Sequence, residues 1–348
     1  MNGRKSVFGL AGFLVAAVFS GSLHSRDAAQ TRTQETKSKV QFIEVEPGVE
    51  LEVLDWGGTG RPVVLIEGLG STAHTFESFA ADLNKSFHVY GVTRRGYGAS
   101  SAPMPTSSNY SAERLGDDVI AVLDSLQLKS PILIGHSFGG EELSSIGSRR
   151  PERIAGLVYL DAGYRYALSG PGLGDFQMDI LTMRKKLAVA WDGITPQERK
   201  EAIDALLTEW PDFEKELKTI SGALTNASTM TPEAIAKEKA YRETQEGRSE
   251  HAMMMGEQRF QRIDCPILAI YASPHALSDT ITGDARIAAE KRDTDFVESL
   301  AKRFRAFPNA KVVFLPHATH SLYNSNRDDV VREIRAFAAT LDSQRHGS

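Results

Sequence analysis

The chain has 348 residues, 41% hydrophobic and 24% charged, and this length and composition suit a large globular domain with an insertion. Its formal net charge of −5 argues against a nucleic-acid partner, because no cluster of Lys and Arg lies outside the N-terminus. The single cysteine, Cys265, excludes an intrachain disulfide, and no Cys/His spacing predicts a zinc site. We therefore expect a small-molecule substrate and no cofactor or metal.

The N-terminus has the pattern of a secretory signal peptide. Arg4 and Lys5 precede an apolar run from Val7 to Phe19, and small residues follow it. The pattern predicts a signal peptide at residues 1–24 and a polar, disordered leader at 25–39. The alternative is an uncleaved membrane anchor, but the run is shorter than the roughly 20 residues of a spanning helix. Export with cleavage is expected, leaving no stable membrane span.

Apolar runs alternate with amphipathic helical patterns along most of the chain. Residues 40–45 and 49–53 predict an opening β-hairpin, and the continuous apolar run at 63–66 predicts a strand covered on both faces. Further strands are predicted at residues 87–92, 131–134, 157–161, 267–271 and 311–315. Strands separated by helices imply right-handed crossovers and a mostly parallel sheet.

Residues 163–262 interrupt this alternation. Thr195-Pro196-Gln197-Glu198 is a capping box with proline at the first helical position, and Thr231-Pro232-Glu233 begins another helix in a similar way. No strand is predicted in this segment, so we expect it to be a helical insertion.

The stretch from Pro131 to Gly140 contains Gly135-His136-Ser137-Phe138-Gly139, between a predicted strand and a predicted helix. Gly-x-Ser-x-Gly in this context is the pattern of a nucleophile elbow, in which a strained turn exposes the serine hydroxyl. The pattern predicts that Ser137 is a catalytic nucleophile.

Three further stretches make the chain similar to the α/β-hydrolase family. Glu67-Gly68-Leu69-Gly70-Ser71 occupies the place of the family's His-Gly oxyanion loop, with Glu67 in place of the histidine. Arg95-Gly96-Tyr97-Gly98-Ala99-Ser100 looks like its Arg-Gly-x-Gly-x-Ser turn, and Pro316-His317-Ala318-Thr319-His320 looks like its histidine loop. The resemblance covers residues 41–161 and 263–342.

The resemblance implies a mostly parallel, eight-stranded α/β sheet with helices on both faces. It places the core in residues 40–162 and 263–345, and a helical cap over the active site in residues 163–262. Relatives with epoxide hydrolase or haloalkane dehalogenase activity need aspartate at the elbow, so Ser137 argues against both activities.

The resemblance also implies roles for individual residues. His320 is the expected general base, on its position and its order along the chain, and His317 is its local competitor. The backbone amides of Leu69 and Phe138 are the expected oxyanion donors. Glu67 is expected to hold its loop by hydrogen bonds, or else to contact substrate.

The third member of a triad must be a carboxylate that orients the histidine. The family's commoner acid follows the seventh strand, but Tyr271-Ala272-Ser273-Pro274-His275-Ala276 contains no carboxylate. Asp161 stands at the end of the sixth strand, where some branches of the family place the acid. The sequence favours Asp161 and leaves Asp279 as the alternative.

These residues favour an exported serine hydrolase that cleaves an ester or related acyl compound through an acyl-enzyme. Two alternatives use the same residues. One is a carbon–carbon bond hydrolase or an aminopeptidase, and the other is a non-catalytic protein that binds a ligand in the pocket.

Overall fold

The computed structural model describes residues 38–106, 108–168, 176–225 and 231–346. The predicted signal peptide lies outside these residues, as does the predicted leader except for its last two positions. Lys39 already belongs to the first strand. Among the helices of the described residues, none is long and apolar enough to cross a membrane.

An eight-stranded sheet forms the centre of the protein, in the order β1-β2-β4-β3-β5-β6-β7-β8. The strands β1 and β2 form the predicted antiparallel hairpin, β2 also pairs antiparallel with β4, and all remaining neighbours are parallel. The predicted fold class is therefore confirmed. The strands are β1 (Lys39–Glu46), β2 (Val49–Gly57), β3 (Pro62–Ile66), β4 (His88–Val92), β5 (Ile132–His136), β6 (Gly156–Leu160), β7 (Ile267–Ala272) and β8 (Ala310–Leu315).

Helices occupy the segments between the strands. Ser111 is the N-cap of the second helix, and its side chain accepts a hydrogen bond from the Arg114 amide. The capping box also forms, because Thr195 and Glu198 each accept a hydrogen bond from the other's backbone N–H. The helices are α1 (Glu77–Leu83), α2 (Ala112–Ser125), α3 (Gly139–Arg149), α4 (Phe176–Asp192), α5 (Pro196–Thr225), α6 (Pro232–Glu243), α7 (Gln245–Met255), α8 (Gly283–Arg305), α9 (Leu322–Ser325) and α10 (Arg327–His346).

The core consists of two apolar layers, one on each face of the sheet. Val64 and Ile66 of β3 point into one layer with side chains of α2, α3 and α8, and Val63 and Leu65 point into the other with α1 and α10. Period-two alternation of this kind buries both faces of a parallel strand, which explains why these strands are continuous apolar runs. At roughly 1.5–3 kcal/mol per buried aliphatic or aromatic side chain, these layers supply the main stabilising term.

The described residues separate into two compact units. The smaller contains residues 176–225 and 231–238, which form α4, α5 and most of α6. The larger contains the sheet, its covering helices and α7. Among the described residues between β6 and β7 there are helices but no strand. The smaller unit is narrower than the predicted cap, because α7 belongs to the unit that contains the sheet.

The parallel register brings the carboxyl ends of six strands to one edge of the sheet, and the candidate site residues follow five of them, β3 and β5 to β8. Gly135 of β5 lies beside Ile66 of β3, and Leu160 of β6 lies between His136 of β5 and Ile270 of β7. The residues that follow these strands therefore meet at this edge, which is where open α/β sheets carry their ligand and catalytic groups. They are Glu67 and Gly68 after β3, Ser137 after β5, Asp161 after β6, His275 after β7 and His320 after β8.

Candidate active site

Ser137 lies in the tight turn between β5 and α3. Its φ of +48° is in the left-handed region, a strained conformation for a residue with a side chain. Glycine is required on both sides of it: a Cβ at Gly135 would lie 2.7 Å from the Gly139 carbonyl oxygen, and a Cβ at Gly139 would lie 2.7 Å from that of Ile66. The glycines thus allow the turn to pack against β3 while Ser137 remains half-exposed.

His320 and Asp161 form a short hydrogen bond at the sheet edge. The Nδ1 atom of His320 lies 2.6 Å from the Oδ2 atom of Asp161. Asp161 is fully buried, and the amide of Ala272 also donates to its carboxylate at 3.3 Å. Burial raises the pKa of Asp161, but hydrogen bonds from His275 and His320 outweigh it and lower the pKa to about 2. Asp161 is therefore an anion that can orient an imidazole.

The two competing residues lie elsewhere. His317 is exposed in the turn after β8 with a φ of +58°, and its amide donates to the carbonyl oxygen of Pro274 at 2.7 Å. Asp279 is exposed in the turn before α8. The structure therefore brings His320 together with the carboxylate of Asp161 and not with that of Asp279.

Glu67 and His136 form a buried pair beside His320. The Nδ1 atom of His136 lies 2.5 Å from Glu67 Oε1, and its Nε2 atom lies 3.0 Å from the backbone carbonyl oxygen of His320. The Thr75 hydroxyl donates to the same carboxylate at 3.1 Å. Glu67 thus acts through hydrogen bonds within the protein, one of the two roles expected for it, and through His136 it fixes the backbone of His320.

The ionisation of this pair follows from its burial and its contact. Burial raises the pKa of Glu67, but the charge of His136 and its hydrogen bond outweigh burial, so the pKa falls below the usual value. Burial lowers the pKa of His136, but Glu67 outweighs it and raises the pKa. Both ring nitrogens of His136 face acceptors, which agrees with a protonated ring that donates from each.

The loop after β3 lies against Ser137. A Cβ at Gly68 would lie 2.8 Å from Ser137 Cβ, so only glycine allows this approach. Within the part of the chain that the structure describes, no backbone hydrogen bond takes up the amides of Leu69 or Phe138. The buried Arg94 guanidinium donates to the carbonyl oxygens of Glu67 and Gly68 at 2.6 and 3.1 Å, and it also pairs with Glu142 on α3. Arg94 thus ties this loop to the helix that follows the elbow.

Sequence reasoning missed His275 and its partner Asp293. His275 stands after β7, where the search for a carboxylate ended without one, and its Nε2 atom lies 2.8 Å from Asp161 Oδ2. Asp293 lies on α8, which the sequence analysis did not predict as a helix because its first half is polar and its buried face begins at Val297. The sequence did contain one signal for this pair. His275 stands where the family usually has its acid, and a histidine there can pair with a carboxylate from elsewhere in the chain.

Two tyrosines shortly after Asp161 were also missed. The Tyr164 hydroxyl lies 3.3 Å from Asp161 Oδ2. Burial raises the pKa of Tyr166 well above its usual value, and its ring centroid lies 5.0 Å from that of Phe138, the residue after Ser137. Tyr166 therefore places a neutral phenol beside the elbow serine.

Asp161, His275 and His320 offer three possible metal-ligand atoms within 4.8 Å of one another. However, both histidine nitrogens approach the same carboxylate oxygen, at 2.6 and 2.8 Å. These are the distances of charge-assisted N–H···O hydrogen bonds. We therefore interpret the cluster as a hydrogen-bonded network.

Known proteins match parts of this chain in sequence. Bifunctional epoxide hydrolase 2 of Sus scrofa is 31% identical over 124 residues, which are 35% of this chain and 22% of that protein. The AB hydrolase superfamily protein YisY of Bacillus subtilis is 39% identical over 100 residues, which are 28% of this chain and 36% of that protein. The chain thus matches well under half of the length of either relative.

Solved structures show the same fold at low sequence identity. Epoxide hydrolase VrEH1 of Vigna radiata has a TM-score of 0.56 and 16% identity, and the match covers 89% of this chain and 100% of the other. A thermophilic esterase of Thermogutta terrifontis has a TM-score of 0.53 and 20% identity, over 88% and 99% of the two chains. A family model described as alpha/beta hydrolase fold matches residues 61–323. With three quarters of its length in that match and an elbow serine at the carboxyl edge of its sheet, the chain belongs to the α/β-hydrolase fold family.

Proposed function

We propose that the protein is a serine hydrolase that cleaves an ester or a related acyl compound through an acyl-enzyme. The observation that carries the proposal is the 2.6 Å contact between His320 Nδ1 and the buried, ionised Asp161, beside the elbow that exposes Ser137. This contact fixes the tautomer of His320 with the proton on Nδ1 and leaves Nε2 to accept the serine proton.

In the first half of the reaction, Ser137 Oγ bonds to the acyl carbon while its proton passes to His320 Nε2. The tetrahedral intermediate then collapses, the bond to the leaving alcohol breaks, and His320 returns the proton to that oxygen. In the second half, water attacks the acyl-enzyme, again losing a proton to His320, and the carboxylic acid leaves as Ser137 regains its hydrogen.

The negative oxygen of each tetrahedral intermediate requires donors that are fixed before the reaction. We assign this role to the amide of Phe138, the residue after Ser137, and to that of Leu69, which follows the glycine that packs against Ser137. Each such donor is worth roughly 10²–10³ in kcat. The contacts of Arg94 with the Glu67 and Gly68 carbonyl oxygens support a fixed position for the loop that carries Leu69.

The residue at the elbow decides between branches of the family. Epoxide hydrolases need an aspartate there to form an alkyl-enzyme ester, whereas Ser137 with a histidine base suits acyl transfer. The similarity to epoxide hydrolases therefore supports a shared fold, and the elbow supports different chemistry. Acyl cleavage is accordingly the function we assign.

A substrate panel tests this proposal. We expect the purified protein to hydrolyse p-nitrophenyl esters of graded acyl length, and Ser137→Ala to lose about 10⁶-fold in kcat while keeping its melting temperature. An aminoacyl p-nitroanilide and a vinylogous 1,5-diketone test the aminopeptidase and carbon–carbon hydrolase alternatives. A folded wild-type protein that turns over no member of the panel would instead support ligand binding without catalysis.

The N-terminal sequence supports export of the protein. Arg4 and Lys5 followed by the short apolar run to Phe19 suit a cleaved signal, and we expect the mature exported protein to begin between about residue 20 and residue 30. Mass spectrometry of the protein from its native host measures this end. An intact N-terminus in the membrane fraction would instead indicate an anchor.

A further inference from the structure

His275 lies in the loop after β7, and both of its ring nitrogens face carboxylates. Its Nε2 atom lies 2.8 Å from Asp161 Oδ2, and its Nδ1 atom lies 3.0 Å from Asp293 Oδ2. The backbone N–H of His275 donates to the same Asp293 oxygen at 2.7 Å. We propose that His275 is a cationic positioning residue for the Asp161–His320 pair, and that Asp293 holds it in that state. This inference rests on the proposed hydrolase function.

The geometry of its two contacts defines the protonation of His275. An ionised carboxylate offers only acceptors, so a ring nitrogen at hydrogen-bond distance from it must carry a proton. His275 meets this condition at both nitrogens and is therefore an imidazolium. Burial lowers the pKa of His275, but the hydrogen bonds and charges of Asp161 and Asp293 outweigh burial and raise the pKa to about 10. The ring thus stays charged throughout the neutral range.

His275 fixes the carboxylate that orients the base. Asp161 Oδ2 accepts hydrogen bonds from His320, from His275 and, at 3.3 Å, from the Tyr164 hydroxyl. Its other oxygen accepts the Ala272 amide. Without His275, the carboxylate would lose its one cationic donor, and the angle at which it meets His320 would be less restricted.

His275 and His136 place two positive charges near His320. The first lies across the shared Asp161 carboxylate, and the second belongs to a ring whose centroid lies 4.7 Å from that of His320. At these distances both charges act on His320 by Coulomb forces that an uncharged side chain would not exert. The titratable groups around His275 and His320 come from four elements. They are Asp161 and Tyr164 after β6, Asp293 on α8, His136 at the end of β5, and Glu67 after β3 through its contact with His136.

The first test is the pH profile of kcat/KM for His275→Gln. Glutamine can still donate to Asp161 but carries no charge, so we expect the midpoint of the acid limb to rise by about one pH unit. We expect kcat to fall about 10-fold with KM within twofold of wild type, because His275 touches Asp161 rather than substrate. The matched control is His88→Gln, which removes a similar 2.8 Å histidine–aspartate contact with Asp55 on β2 and should leave the profile unchanged. A folded His275→Gln protein with an unshifted acid limb would overturn the proposal.

Asp293→Asn tests the second half of the proposal. Without this carboxylate, His275 should lose one of its two ring protons near neutral pH. The neutral ring can then donate from only one nitrogen. We expect activity to fall on the alkaline side at least one pH unit earlier than in wild type. Asp55→Asn, which alters the partner of His88, should leave the alkaline limb in place. An Asp293→Asn profile identical to wild type would contradict the role given to Asp293.

A spectroscopic measurement separates this proposal from the proposed function. In ¹⁵N-histidine spectra of the folded Ser137→Ala protein, both ring nitrogens of His275 should remain protonated from pH 6 to pH 9. This readout requires neither turnover nor a substitution at His275, so it decides the matter even where His275→Gln fails to fold. A His275 ring that titrates near pH 6.5 would refute the cationic state, whether or not the enzyme proves to be an esterase.

Discussion

The Nδ1 atom of His320 lies 2.6 Å from the Oδ2 atom of Asp161, although 159 positions separate the two residues along the chain. The contact exists because β6 and β8 flank β7 in parallel register and both strands end at the same edge of the sheet. The Asp161 carboxylate thus reaches His320 from the end of the sixth strand, while the loop after the seventh strand provides His275 as a second donor.

Asp161→Asn should lower kcat by about 10⁴, because an amide can stabilise the wrong tautomer of His320 and cannot offset the imidazolium charge in the transition state. Steady-state kinetics on the best ester substrate measure this loss. Asp279→Asn is the matched control, since Asp279 is exposed before α8 and should retain full activity. The reverse pattern would transfer the role of acid to Asp279.

The depressed pKa of Asp161 predicts a stability that depends on pH. The carboxyl titrates at about 2 in the folded protein and at about 3.9 in an unfolded chain. The contribution of this carboxylate to the free energy of unfolding is therefore fully present above pH 4–5 and is lost as the pH falls toward 2. The full contribution is on the order of 2–3 kcal/mol.

Urea unfolding of wild type and Asp161→Asn between pH 6 and pH 2.5 measures this contribution. The stability difference between the two proteins should shrink as the pH falls, because protonation removes the charge that the substitution removes. A difference that stays constant, or grows toward low pH, would show that the folded protein does not depress the pKa of Asp161.

Gly68→Ala should impair catalysis through steric conflict. A Cβ there would lie 2.8 Å from Ser137 Cβ, so the oxyanion loop or the elbow must shift. We expect kcat to fall by about 10²-fold, because displacements of about 1 Å misalign donors and nucleophile. Gly222→Ala in α5 is the control: a Cβ there meets nothing within 4 Å, and we expect unchanged kinetics. Wild-type kinetics for Gly68→Ala would contradict the close packing of this loop.

Glu67→Gln should destabilise the fold. The substitution leaves the buried His136 without its charged partner, and loss of one member of a buried pair with the other retained costs about 1–3 kcal/mol or more. Chemical denaturation at pH 7 measures the change, and the exposed Glu50→Gln should be neutral. If Glu67→Gln and Glu50→Gln unfold at the same denaturant concentration, the Glu67–His136 pair is not a stabilising contact.

The sequence predicts those parts of the protein that depend on local patterns. Three such features are the apolar runs of β3 to β8, the capping box that begins at Thr195, and the elbow around Ser137, and each depends on a few adjacent residues. The sequence could also favour Asp161 over Asp279 as the candidate acid, because a strand end is a local feature and parallel strands end at the same edge of the sheet.

The contacts that sequence reasoning missed join residues that are far apart in the chain. His275 meets Asp161 across 114 positions, and His136 meets Glu67 across 69. No periodicity encodes such pairs, since their partners are chosen by strand order and side-chain direction. The helix α8, which carries Asp293, was missed for another reason: its apolar face occupies only its second half, so its hydrophobic periodicity is weak.

The central claim is that Ser137 is the nucleophile of an acyl-enzyme, and covalent labelling tests it most directly. Intact-mass spectrometry after treatment with a fluorophosphonate should show one adduct per chain, and peptide mapping should locate it on Ser137. The Ser137→Ala protein, with an unchanged melting temperature, should acquire no adduct. No adduct on the folded wild-type protein, or an adduct on another residue that persists in Ser137→Ala, would contradict the mechanism.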